Sequence, residues 1–354
     1  MSKVRCDSTS TNRCASRRFS SHVKPDAAGR AQRFGTTQLV GDRPRPDCQQ
    51  EDLSPELFTR FQTLIYNEAG IWLGPHKTAL LIGRLSKRLR SLNLRGMWEY
   101  FKFVTQPEQQ HERVRMIDCI TTNETRFFRE PRHFEFLAQT VFPRWREEVS
   151  TGARAARIRI WSAGCSSGEE PYSLAMMLLD HFGDDFGWKL EILATDISTR
   201  VLEEARAGIF PVGESKDIPA KYLNSYLLRG IGEQQGYMKV SQEVQTLVTF
   251  SRLNLHADYN MPDSFDLIFL RNVMIYFDQR SKSKVLAGIL RHLSPRGYLF
   301  VGHSESLQGL DTSLRAVTFS VYGGDQGDDP GKGAEGSESK DLCALAMPAG
   351  CNGR

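Results

Sequence analysis

The sequence predicts an α/β protein: a largely parallel sheet covered on both faces, an N-terminal helical domain and a small antiparallel β insert. Three observations carry this. Ile158–Glu170 is a short apolar run, then a turn of small residues, leading into the helical pattern Pro171–Leu179. Further apolar runs at Leu190–Asp196, Phe265–Leu270 and Tyr298–Gly302 alternate with helical stretches, as in a parallel sheet with crossover helices. Residues 53–125 show apolar positions at helical spacing.

A chain of 354 residues can hold two or three domains and bury a substantial core. No apolar run reaches membrane-spanning length, and the start lacks the apolar stretch of a secretory signal, so a cytoplasmic protein is expected. The net charge of +4 is unevenly placed: residues 1–50 hold ten Lys/Arg against four Asp/Glu, which leaves the remainder at −2. The mild basicity therefore comes from the first segment and does not imply nucleic-acid binding by the folded body. Seven cysteines include no CxxC pair, and most fall in the terminal segments, so neither a disulfide framework nor a metal site is indicated.

In order along the chain, residues 1–50 mix Ser, Thr, Arg, Pro and Gly with little apolar periodicity and read as a disordered extension. Residues 51–125 form the helical domain, entered at Ser54-Pro55-Glu56 with Ser as cap and Pro just inside. A second helix spans about 75–92; Thr78, Leu81, Ile82, Leu85, Leu89 and Leu92 form its apolar stripe. Lys77, Arg84, Lys87, Arg88 and Arg90 project from its other side, as a solvated face or as a docking surface for an acidic partner helix. Residues 120–131 interleave hydrogen-bonding side chains with two aromatics, either as a helix-capping loop or as a lip over a ligand site.

The turn after the first strand selects a ligand class. Small residues let a backbone approach a ligand, and the helix start presents free N–H groups. Glu169 and Glu170 at that entrance would repel a pyrophosphate but suit ribose hydroxyls and a positive centre, as in S-adenosyl-L-methionine. Asp196 ends the next strand, 28 residues past Gly168, and can accept ribose hydroxyls or cap the following helix. Residues of about 213–250 read as the β insert: a glycine-rich turn at Arg229–Gly236 is flanked by β-prone Tyr237–Val240 and Leu247–Phe250. The sheet then resumes with Arg252–Leu255 and the buried strand leading to Arg271-Asn272. It continues with a helix over 281–293, a turn at 294–297, the strand Tyr298–Gly302 and a last strand over 314–322. Residues 323–354 read as a second disordered tail.

Six separated motifs then come into register: TTNETRFFRE (121–130), WSAGCSSGEEPYSLAM (161–176), ATDIS (194–198), RLNL (252–255), LRNVMIYF (270–277) and GHSESL (302–307). In these, over residues 53–322, the chain resembles the chemotaxis receptor methyltransferases of the CheR type. The resemblance implies a Rossmann-like S-adenosyl-L-methionine-dependent methyltransferase sheet over 126–322. It also implies methyl-ester formation on glutamates of membrane chemoreceptors, with S-adenosyl-L-homocysteine as product and no metal. Family ligand contacts fall on Asn123, Thr125, Arg129, Gly164, Glu170 and Asp196, with Asn254 and Leu255 flanking the adenine and Arg271 and Asn272 below it. Arg129 and Tyr276 take the methyl-proximal, catalytic positions. Receptor methylation segments are acidic helices, which makes Arg84, Lys87 and Arg88 candidate docking residues. Gly230, Gly232 and Gly236 keep the spacing with which the family's insert takes a C-terminal receptor peptide. The implied protein is a cytoplasmic monomer recruited to receptor arrays. The rival readings are a catalytically silent cofactor-binding scaffold and a methyltransferase acting on another protein or on nucleic acid, the latter lacking an NPPY-like element here.

Overall fold

The computed structural model describes residues 18–20, 53–183 and 187–324. A two-residue strand β1 (Arg18–Phe19) precedes the helical domain, which is built from α1 (Pro55–Ala69), α2 (Thr78–Ser91), α3 (Met97–Val104) and α4 (Gln110–Ile120). Ser54 Oγ accepts the Leu57 N–H at 3.2 Å, and Gly70 ends α1 in a left-handed conformation, so sequence signals set both ends. Phe61, Ile65, Leu81, Leu85, Tyr100, Val104 and Met116 form a separate core for this domain.

Thr121–Glu130 then leads to α5 (Pro131–Phe136) and α6 (Phe142–Ser150), joined by a π turn over Leu137–Val141. There follow β2 (Arg157–Ala163), α7 (Glu169–Phe182), β3 (Lys189–Asp196), α8 (Thr199–Ala207) and β4 (Ile209–Pro211). Next come α9 (Ala220–Tyr226), β5 (Leu227–Gly230), β6 (Tyr237–Val240), α10 (Gln242–Gln245) and β7 (Val248–Arg252). The chain closes with β8 (Phe265–Leu270), α11 (Gln279–Leu290), β9 (Leu293–Val301), β10 (Arg315–Thr318) and β11 (Val321–Gly323).

The main sheet has seven strands in the order β10-β11-β9-β8-β2-β3-β7. The run from β9 to β7 is parallel; β11 and β10 are antiparallel. Alternate side chains of the central strands enter opposite cores: Ile158, Ile160, Leu267 and Phe269 pack on one face, Trp161, Ala163, Ile268 and Leu270 on the other. Burial on both faces is what makes Leu267–Leu270 read as a continuous apolar run. From β2 the chain moves outward to β3 on one side and later to β8 on the other, so the strand order reverses between β2 and β8. Ligands of open α/β sheets bind at that switch, beyond the carboxyl ends of the strands.

Four sequence expectations change. Leu247–Phe250 does not belong to the insert: β7 pairs in parallel with β3 as an edge of the main sheet. The insert instead supplies β4, β5 and β6, beginning at Ile209, and β1 joins them to give the sheet β1-β5-β6-β4. The last strand is a hairpin, β10 and β11, turning at Ser320 with φ 60°. The turn over 294–297 lies within β9. Of the two terminal segments read as disordered, Arg18–Phe19 pairs in parallel with Arg229–Gly230, and Gly323 completes β11; residues 1–17, 21–50 and 325–354 lie outside the described residues. No helix among the described residues is long and apolar enough to cross a membrane.

Candidate active site

The site is assembled where β2 and β3 end. The N–H groups of Gly164 and Cys165 both donate to the Thr195 carbonyl, at 2.7 and 2.9 Å, which ties the turn to β3. Gly164 has φ +87°, and a Cβ there would stand 2.4 Å from Val273 Cγ2, so this position requires glycine. The Asp196 carboxylate accepts the Ser166 N–H through Oδ2 and the Ser198 N–H through Oδ1, each at 2.9 Å. Burial pushes its pKa up against these donors. Ser166 Oγ in turn donates to the Asn123 carbonyl at 3.0 Å, bringing the 121–130 segment over the turn.

A cleft of about 420 Å³ opens here. Asn123, Thr125, Arg129, Gly164, Glu170 and Asp196 line it, as do Asn254, Leu255, Arg271, Asn272 and Tyr276, so the structure brings every proposed cofactor and catalytic residue to one place. Their side chains have different tasks. Glu170 accepts from Ser162 Oγ at 2.7 Å and from Arg271 Nη1 at 3.0 Å. Burial raises its pKa, opposed by the Arg271 charge. Arg271 is itself buried, with Nη2 and Nε on Glu130 and a further bond to the Arg129 carbonyl. It therefore holds the linker against the sheet. Asn254 spends its amide on the Glu68 carbonyl at 2.7 Å and its Oδ1 on the His256 N–H at 3.0 Å. It clamps the end of α1 to the loop after β7, and leaves Leu255 as the apolar wall. Asn272 has φ 59°, and its N–H donates to Glu305 Oε2 at 2.7 Å.

At the mouth, Tyr276 donates its hydroxyl to the Thr122 carbonyl at 3.2 Å, and burial raises its pKa. Arg129 Nη1 donates to the Glu124 carbonyl at 2.9 Å, and its charge bears on both Tyr276 and Glu170.

Several readings are corrected here. Glu169 turns away from the cleft toward Ser167 Oγ, at 2.8 and 3.1 Å, so only one of the two acids at the helix entrance faces the ligand space. Burial pushes the Glu169 carboxyl up to about 7, with Glu214 and Glu204 adding repulsion. A folded-state pKa above the ordinary value means the protonated form is favoured by folding. The associated stability is complete below about pH 4.5 and is lost as pH rises through about 7. Glu169→Gln is therefore expected to raise Tm by roughly 2–5 °C at pH 8 and to leave it unchanged near pH 4.5 in a thermal melt series. An equal shift at both values would refute the burial account.

Arg84 and Arg88 do not project freely from α2. Arg84 donates to the carbonyls of Cys119, Ile120 and Thr121 and to Thr122 Oγ1, capping the end of α4. Arg88 grips the buried Glu112 carboxylate with Nε at 2.8 Å and with Nη2, and Tyr100 donates to the same group at 3.0 Å. Losing Arg88 would leave a buried charge unpaired, so its reversal tests folding and not docking. Lys87 and Arg90 are exposed. Gly230 ends β5 with no room for a Cβ, which would lie 2.0 Å from the Gln234 carbonyl; Gly232 and Gly236 have positive φ in the connection to β6. All six docking candidates stand outside the cleft lining.

Sequence reasoning missed two carboxylates. Glu305 accepts the N–H groups of Asn272, Gly302 and Ile275 at 2.7, 2.7 and 3.2 Å, fixing the loop that carries Tyr276. Glu130 meets Arg271 and accepts the His303 N–H at 3.1 Å. Burial opposes its ionisation, but Arg271 and His303 outweigh it and hold the carboxyl below its ordinary range. Glu130, His133 and His303 cluster closely enough to suggest a cation site, yet Arg271 already neutralises the carboxylate. Burial, reinforced by Arg271, lowers His133 to about 3, which keeps its ring neutral.

The family model described as CheR methyltransferase, SAM binding domain, matches residues 123–322, and that described as CheR methyltransferase, all-alpha domain, matches residues 56–121. The chain belongs to the CheR methyltransferase family. It is 42% identical over 272 residues to a chemotaxis protein methyltransferase of Escherichia coli (strain K12), covering 76% of this chain and 91% of that one. It is 39% identical over 274 residues to the chemotaxis protein methyltransferase of Borreliella burgdorferi, covering 77% and 95%. Against the chemotaxis protein methyltransferase 2 of Pseudomonas aeruginosa the figures are 37% over 275 residues, 77% and 95%. The chain is thus an S-adenosyl-L-methionine-dependent methyltransferase of the CheR family. The cleft suits that cofactor: Glu170 and Asp196 line it with acceptor oxygens, Gly164 permits close backbone approach, and Leu255 offers an apolar wall.

Proposed function

We propose that this chain methylates glutamate side chains of membrane chemoreceptors, acting in the cytoplasm at receptor arrays. The observation that supports this most directly is an acid-lined cleft with an arginine and a tyrosine, Arg129 and Tyr276, together at its mouth. When bound, S-adenosyl-L-methionine supplies an electrophilic methyl group on a positively charged sulfur. Asp196 and Glu170 would hold it from the floor, and Leu255 from the side.

A glutamate carboxylate, with a reference pKa near 4.3, is already ionised at neutral pH, so no general base is required. Attack merges a negative with a positive centre, and water opposes that loss of charge. The protein's task is then to exclude water and to place the carboxylate in line, at about 3–3.5 Å, the separation of a near-attack conformer. Arg129 orients the incoming carboxylate through charge-assisted hydrogen bonds. Tyr276, fixed through Thr122 and the Glu305-held loop, walls the approach. The insert, shaped by Gly230, Gly232 and Gly236, docks a receptor peptide, while exposed Lys87 offers charge to acidic helices.

The test is transfer of labelled methyl from S-adenosyl-L-methionine to chemoreceptor-containing membranes, followed by alkali. Release of volatile methanol is expected, since glutamyl methyl esters hydrolyse in base. Alkali-stable label would overturn the ester reading, and cofactor binding without transfer would favour a silent scaffold.

A further inference from the structure

The proposed reaction admits one carboxylate to the cleft and leaves the rest of the substrate outside, so recognition falls to the rim. Two large apolar side chains stand there in the open. Trp72 is 49% exposed and Ile275 is 51% exposed, and both line the cleft. They come from different domains: Trp72 follows α1, and Ile275 directly precedes Tyr276.

Both are held in place. The Trp72 N–H donates to the Tyr276 carbonyl at 2.9 Å, and Ile71 bridges to Phe277 beside it. The Trp72 ring meets Tyr66 edge-on at 6.4 Å between centroids, and the Tyr66 hydroxyl bonds to Asp278. Ile275 is fixed by its N–H bond to Glu305. A pre-organised aromatic and an aliphatic side chain, exposed at a reaction mouth, form a contact surface in wait of a partner. Glu170 and Asp196 lie on the cofactor floor; the remaining charges of the lining besides buried Arg271 are Lys77, Arg129 and Glu124, two cations to one acid. Apolar anchors beside this cationic excess complement an amphipathic helix that carries acids beside its apolar side chains.

We propose that Trp72 and Ile275 form the substrate-recognition rim of this methyltransferase. They seat an acidic amphipathic helix whose apolar side chains lie one turn from the target glutamate. This rests on the reading that the substrate is a helical glutamate. On a helix, residues three and four apart share a face, so contact with these two side chains delivers a carboxylate one turn away toward Arg129.

The experiment uses the full chain and chemoreceptor-containing membranes as substrate, comparing wild type with Trp72→Ala and Ile275→Ser. Each variant is expected to raise KM for the receptor about tenfold, with kcat within about twofold and the cofactor Kd unchanged by calorimetry. Trp72→Phe and Ile275→Leu are expected to restore most of the affinity. An unchanged receptor KM would overturn the rim, as would a cofactor Kd that weakens in step with KM. If wild type itself leaves no alkali-labile label, glutamate methylation fails and takes the rim with it. If wild type labels normally and the variants match it, only the rim fails.

Discussion

Arg129→Ala is expected to lower kcat for methyl transfer about a hundredfold, the scale seen when one oriented donor is removed from a reacting centre. Arg129 is anchored at both ends: its side chain donates to the Glu124 carbonyl, and its own carbonyl accepts from Arg271. The guanidinium is thus held within electrostatic reach of Tyr276 and Glu170. If it only stabilised the ground-state carboxylate, its loss would raise KM and leave kcat alone. Orientation predicts the reverse emphasis, because the carboxylate must be aimed as its charge is consumed. Arg129→Lys keeps the charge but not the planar fork, and should fall between the two. The measurements are steady-state methanol release and, separately, cofactor calorimetry, in which Kd should move by no more than about threefold. Unchanged turnover would remove Arg129 from the chemistry.

The second large effect belongs to Asp196. Its carboxylate organises the turn through Ser166 and the start of α8 through Ser198, while facing the cleft. Asp196→Ala removes the acceptor for cofactor hydroxyls and frees two buried N–H groups at once. Cofactor Kd is expected to weaken about a hundredfold by calorimetry, as charged acceptors contribute up to about 3 kcal/mol each. Asp196→Asn keeps one acceptor oxygen and should lose less. Because burial raises the Asp196 pKa, wild-type affinity should begin to fall at a higher pH than an exposed aspartate would dictate. A Kd unaffected by Asp196→Ala would dismiss the assignment.

Much of this architecture is visible in the residues themselves. The central strands are buried on both faces toward their carboxyl ends, and the apolar runs Leu267–Leu270 and Tyr298–Val301 say so. The cleft residues are visible because they sit at strand ends and in the turn, where Gly164 allows close backbone approach and Asp196 presents acceptor oxygens. What stays hidden is tertiary. Arg84 and Arg88 look solvated because periodicity cannot show that the end of α4 and buried Glu112 lie beside them. Glu130 directly precedes Pro131 in a motif rich in polar residues, and nothing local distinguishes it from a surface acid; its value comes from Arg271, 141 residues away. Strand β7 alternates buried and exposed side chains like a hairpin strand, so only its pairing with β3 separates it from the insert.

The short strand β1 has a consequence for the edge of the insert. Phe19 accepts the Ile231 N–H, and Arg18–Phe19 lies along Arg229–Gly230. The outward-facing backbone of β5 is therefore already spoken for by the same chain. Any extended peptide that adds to this edge trades one set of main-chain bonds for another instead of gaining a new one. Its binding is then a competition against a tethered rival whose local concentration never dilutes, and the outcome turns on side-chain fit rather than on strand addition itself.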